Sequence, residues 1–266
     1  MKKLIIYILI FTFVVAAEEE KRKTIRIQPK ISMDTEVIEL KKDDIIVTLY
    51  GAVHVGEAKY FKKLNESFKQ HDVLLFELVG NPELVRKKTT KKGTSLISAS
   101  QEKICDLLEL KYQLDLIDYS AENFIHADFT DAELKAVLKQ RGESLMGNLV
   151  DMTLTDMMSG RESVLNEWLL MATALNPNRV TIWRRLMAKE MIEGNMDTPT
   201  QNTIIHIRNE KALNVMKHQI NKGIKDIAIF YGAAHLPDMV EQLEKMGFDV
   251  TKSEWIEAWI LKVKKK

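Results

Sequence analysis

Two stretches of this chain end alike: Tyr50-Gly51-Ala52-Val53-His54 and Tyr231-Gly232-Ala233-Ala234-His235. Each closes a short β-branched run, and each is followed by a helical pattern and then by another apolar run. After the first, Ala58, Phe61, Leu64 and Phe68 recur at helical spacing, and a second apolar run follows until Gly80-Asn81-Pro82 ends it. A strand–helix–strand crossover of that length joins parallel strands. The chain is therefore expected to be α/β, with a central mixed, largely parallel sheet flanked by helices.

Between the two units the pattern turns helical. Thr130-Asp131-Ala132-Glu133 reads as a capping box, in which threonine and glutamate satisfy free amides of the first turn. From there to about residue 220 the apolar residues keep helical spacing, so a helical segment over 130–220 is expected inside one domain spanning 45–266. Residues 18–44 form a lead-in, where Ile25, Ile27, Val37, Ile38 and Leu40 predict short strands. Residues 112–119 read as extended or irregular. Near the end, Pro237 opens a helix, Gly247 closes it, and residues 248–252 and 255–263 predict two closing strands.

Charge narrows the partners. The 266 residues carry 39 basic against 38 acidic side chains, a net +1, so no global field favours nucleic acid and none is expected as a partner. Cys105 is the single cysteine, which excludes an internal disulfide. At the N-terminus, Lys2 and Lys3 precede a run from Leu4 to Val15 that is apolar apart from Thr12, and Ala16 and Ala17 stand before three glutamates. That is the layout of a signal peptide over residues 1–17. The run falls short of the roughly 20 residues of a comfortable membrane span. Export to a periplasmic or extracellular location is expected, with an uncleaved N-terminal membrane anchor as the alternative.

The two Gly-x-x-His ends are also where chemistry is expected. Ligands of open α/β sheets bind at the carboxyl edge of the parallel strands. Glycine there permits a sharp turn or a close approach, and histidine offers a nitrogen that binds a proton or a metal near neutral pH. Glu77 closes the buried-strand pattern Val73-Leu74-Leu75-Phe76 and needs a cation, a donor or a proton. Arg208, on the helical pattern Ile204-Ile205-His206-Ile207, is the candidate cation. His-Glu-x-x-His, P-loop and Gly-x-Ser-x-Gly motifs are absent from the sequence, which argues against zincin, nucleotide-hydrolase and serine-hydrolase designs.

Taken in order, Gly-x-x-His, Phe76-Glu77, Arg208-Asn209 and the second Gly-x-x-His resemble the TraB/GumN/TIKI family from about residue 45 onward. The resemblance implies a fold related to the erythromycin-esterase and haem-binding ChaN groups. It also implies a metal-dependent hydrolase, since the TIKI proteins are regarded as metal-dependent proteases, and the matching positions here are His54, Glu77, Arg208 and His235. The segment Ala121-Glu122-Asn123-Phe124-Ile125-His126-Ala127-Asp128 resembles a further acidic family segment, making Asp128 a secondary candidate. The expectation is a hydrolase of a peptide or small-molecule substrate. Its divalent metal (zinc, manganese, cobalt or iron) is held by His54, His235 and Glu77, and Arg208 stabilises the oxyanion. Two alternatives stand beside it: a metal-free hydrolase with a histidine base oriented by Glu77, and a non-catalytic protein that captures a peptide or haem.

Overall fold

The computed structural model describes residues 22–87, 104–141, 173, 175–193 and 199–263. The expected leader and the stretch 142–172 of the expected helical segment lie outside the described residues. Among those described, no helix is long and apolar enough to cross a membrane.

The strands, in chain order, are β1 (Ile25–Gln28), β2 (Ser32–Lys42), β3 (Ile45–Ala52), β4 (Val55–Gly56), β5 (Val73–Phe76), β6 (Lys111–Tyr112), β7 (Phe124–His126), β8 (Asp226–Gly232) and β9 (Asp249–Ile260). Seven of them form one sheet in the order β1-β2-β3-β8-β5-β7, with β9 pairing β2, while β4 and β6 form a separate two-stranded ladder. Pairs β3·β8, β8·β5 and β5·β7 are parallel; β1·β2, β2·β3 and β2·β9 are antiparallel. The sheet is mixed with a parallel half, as the paired crossover pattern predicts.

Helices cover both faces, which is why the parallel strands are apolar on both sides. Along β3, Val47 and Leu49 face one core, and Tyr50 and Ala52 are part of the other; along β8, Ile227, Ile229 and Tyr231 alternate in the same way with Ala228 and Phe230. The first core is filled by α6 (Pro199–Asn221), through Ala212, Leu213 and Met216, and by α7 (Leu236–Lys245), through Leu236, Met239, Val240 and Leu243. The second is filled by α1 (Ala58–Phe68), which buries Tyr60, Phe61, Leu64 and Phe68, and by Trp183 of α5 (Arg179–Glu193).

The smaller elements match the sequence pattern in most places. Thr130 caps α4 (Asp131–Gln140) with the expected reciprocal box. Two expectations change. The pair of closing strands is the single strand β9, whose register against β2 shifts twice, so an irregular ladder absorbs the break in pattern. The stretch after Tyr112 is not extended: Gln113–Leu116 forms a helical turn, α3.

The twin motifs sit side by side but one residue out of step. Tyr50 pairs with Phe230, Gly51 with Tyr231 and Ala52 with Gly232. Because side chains alternate along a strand, this offset sends Tyr50 and Tyr231 to opposite faces of the sheet. Tyr50 reaches His71 (2.9 Å), whereas the Tyr231 hydroxyl donates to the Ala127 carbonyl (2.7 Å). The two glycines differ as well. A Cβ on Gly51 would lie 3.0 Å from the Glu36 carbonyl oxygen, and one on Gly232 would lie 3.3 Å from a carboxylate oxygen of Glu77. Nearly identical sequence thus yields two different turns.

Candidate functional site

Four parallel strands lie next to one another in the order β3-β8-β5-β7, so their carboxyl ends share one edge. Each end carries one of the candidate residues. His54 follows β3, His235 ends the 3-10 turn Ala233–His235 after β8, Glu77 follows Phe76 of β5, and Asp128 lies two residues beyond β7. Arg208 and Asn209 reach the same edge from α6.

Arg208 is the hub. Its Nε and Nη2 donate to the two oxygens of Asp128 (3.1 and 2.6 Å), and Nη2 also donates to Glu77 Oε1 (2.6 Å). Its Nη1 lies 3.4 Å from His235 Nε2, which is 3.6 Å from Glu77 Oε1. The other Glu77 oxygen accepts from the Gly232 amide at 2.6 Å, a contact that the missing Cβ allows. The Asp128 side chain is fully buried, and those of Glu77 and Arg208 are only 14% and 12% exposed.

Burial alone would raise the Glu77 carboxyl, but Arg208, then His235 and His54, and the Gly232 amide hold it well below the usual carboxylate range. Burial works against the Arg208 charge, and Glu77 and Asp128 outweigh it, so its pKa rises. For His235 burial dominates, with Arg208 adding to it against the pull of Glu77 and Asp128, and the ring is lowered to about 4. His235 is therefore neutral at pH 7. The sign of its contribution to stability follows. Below pH 6.5 the unfolded chain binds a proton that the folded chain refuses until about pH 4, so stability is present above this window and lost as pH falls through it. The loss amounts to about 3 kcal/mol by linkage. Urea unfolding at pH 7, 5.5 and 4.5 should show it, and His235→Gln should remove this part of the slope.

His54 is exposed, unlike its twin. Its Nδ1 lies 3.2 Å from Gln113 Oε1, and its carbonyl oxygen accepts from the Gln113 amide (2.8 Å), so one residue holds both ring and backbone. Gln113 Nε2 in turn donates to the buried Tyr119 hydroxyl at 2.8 Å. His54 acts electrostatically on both Glu77 and His235.

The three expected metal donors do not form a cage. Among the described residues, no group of three histidine, cysteine, aspartate or glutamate side chains is placed to hold an ion. The physical reason is Arg208, whose guanidinium bonds Glu77 and stands against His235, where a second cation would be repelled. What the edge does contain is two carboxylates facing one guanidinium, with both histidines beside them. Sequence reasoning named Asn209 only as part of a motif and missed Gln113, Tyr119 and Asp238. Asn209 had one signal, a polar residue on the buried face of a helical pattern, and Gln113 had none, since its turn was not expected.

The sequence model of the TraB/PrgY/gumN family matches residues 99–252, more than half of the chain. That span includes Asp128, Arg208, Asn209 and His235, while His54 and Glu77 precede it. No curated protein and no solved structure matches significantly.

Proposed function

The chain belongs to the TraB/PrgY/gumN family, and from that premise we propose that it is a hydrolase of a peptide or small acylated substrate, working at the shared strand edge with His54 as general base. The observation that carries this reading is the charge balance: among the described residues, Glu77 and Asp128 share one cation, Arg208, with the neutral His235 beside Glu77. The cluster is left with a net negative charge, in electrostatic reach of His54. A histidine that takes a proton from water becomes a cation, and such a cluster stabilises it in the transition state more than in the ground state.

A water gives one proton to His54 Nε2 while its oxygen bonds to the substrate carbonyl carbon. Arg208 Nη1, the arm not held by a carboxylate, donates to the developing oxyanion. The C–N or C–O bond then breaks, and the leaving group takes the proton from His54. Gln113 keeps the ring in place through the cycle. Since Arg208 bonds Glu77 and stands against His235, no step is assigned to a metal.

Hydrolysis in water enriched in ¹⁸O tests the proposal. Peptide and ester pools incubated with the purified protein should yield products carrying one solvent oxygen, whereas substrates recovered intact and bound would support the capture of a peptide or haem instead. We also propose that the protein is exported, on the leader layout of residues 1–17. A mature N-terminus near Glu18 by mass spectrometry of the native protein is the expected result, and an intact Met1 would point to the anchor.

A further inference from the structure

Asn209 is fully buried and touches both the site and the frame behind it. Its Nδ2 donates to the His235 carbonyl oxygen at 3.0 Å and to Asp238 Oδ2 at 2.7 Å. A carbonyl and a carboxylate only accept, so the amide can stand one way round. Its Oδ1 then faces His235 Nδ1 at 2.7 Å. An amide oxygen cannot donate, so Nδ1 carries the proton and Nε2 of the neutral ring carries the lone pair. Asp238 is itself fixed, by His206 Nδ1 at 2.8 Å and Gln242 Nε2 at 2.7 Å.

We propose that Asn209, anchored by Asp238, is a positioning residue that sets the His235 tautomer and so keeps Nε2 an acceptor at the strand edge. The opposite tautomer would point an N–H at Arg208 Nη1, donor against donor, at 3.4 Å. The functional consequence rests on the hydrolytic reading: the Nε2 lone pair accepts from one N–H of Arg208 Nη1 and so holds the arm whose other N–H meets the oxyanion. Both Gly-x-x-His histidines thus have Nδ1 turned to a side-chain amide, Asn209 for one and Gln113 for the other.

Nitrogen NMR of the full chain with ¹⁵N-labelled histidine reads the tautomer directly, with the His235 signals assigned from their loss in His235→Gln. The wild type should show Nδ1 protonated and Nε2 bare. Asn209→Leu, close in volume, should shift the ring toward the other tautomer and lower turnover by about 10–100-fold. A wild-type ring protonated at Nε2 overturns the proposal, as does Asn209→Leu that leaves the tautomer unchanged. If the leucine variant does not fold, the wild-type spectrum still decides. No substrate is needed for that spectrum, so absence of turnover would remove the hydrolytic reading and leave the tautomer assignment standing.

Discussion

Arg208→Met should lose about 3–5 kcal/mol of stability, enough to unfold the chain under mild conditions. The variant keeps the length and apolar stem of the side chain but removes the cation shared by Glu77 and Asp128. Both carboxylates would then be left without a cation, one of them completely buried. Urea unfolding of the two proteins gives the difference directly. Glu77→Gln makes the informative contrast, because Arg208 remains paired with Asp128 in that variant. Its amide can supply an oxygen to Arg208 or to the Gly232 amide, not to both, and the loss should be about 1–3 kcal/mol, the cost of one unsatisfied donor. Equal, small losses for the two variants would contradict the description of Arg208 as the hub.

His54→Gln should behave in the opposite way, with stability nearly unchanged and turnover lowered by about 10²–10⁴-fold. The ring is exposed and takes no part in either large core, so its removal leaves no buried cavity. The glutamine can still meet Gln113, which preserves the turn, but it cannot accept a proton from water. Melting temperature and initial rate measured on the same preparation separate the two effects. A stability loss as large as that of Arg208→Met would make His54 a structural residue.

Much of this arrangement is legible in the sequence because of how parallel strands work. A short β-branched run followed by Gly-x-x-His announces a strand end, and two such ends in a crossover pattern announce a shared edge. Glu77 is readable as a charge in a strand built for burial, and Arg208 as the cation on a helical face. What one-dimensional spacing does not show is register. The offset of one residue between the twin motifs buries His235 and exposes His54, and no feature of the two nearly identical pentapeptides signals it. The same limit applies to the metal expectation. Two imidazoles and a carboxylate are suitable donors by type, but the guanidinium bonds the carboxylate and stands against one of the imidazoles. Gln113 and Asp238 depend on contacts between elements far apart in the chain, and their roles follow from hydrogen-bond partners alone.

On the proposed reading, the strand edge hydrolyses its substrate with His54 as base and with no metal in the step. The most direct test is the initial rate of the purified protein after exhaustive removal of metals with a chelator, beside His54→Gln treated in the same way and on the same substrate. On that reading the wild-type rate survives metal removal and the variant falls by at least about a hundredfold. A rate that vanishes with the metal and returns on adding zinc, manganese, cobalt or iron would contradict it, and so would a His54→Gln rate equal to the wild type.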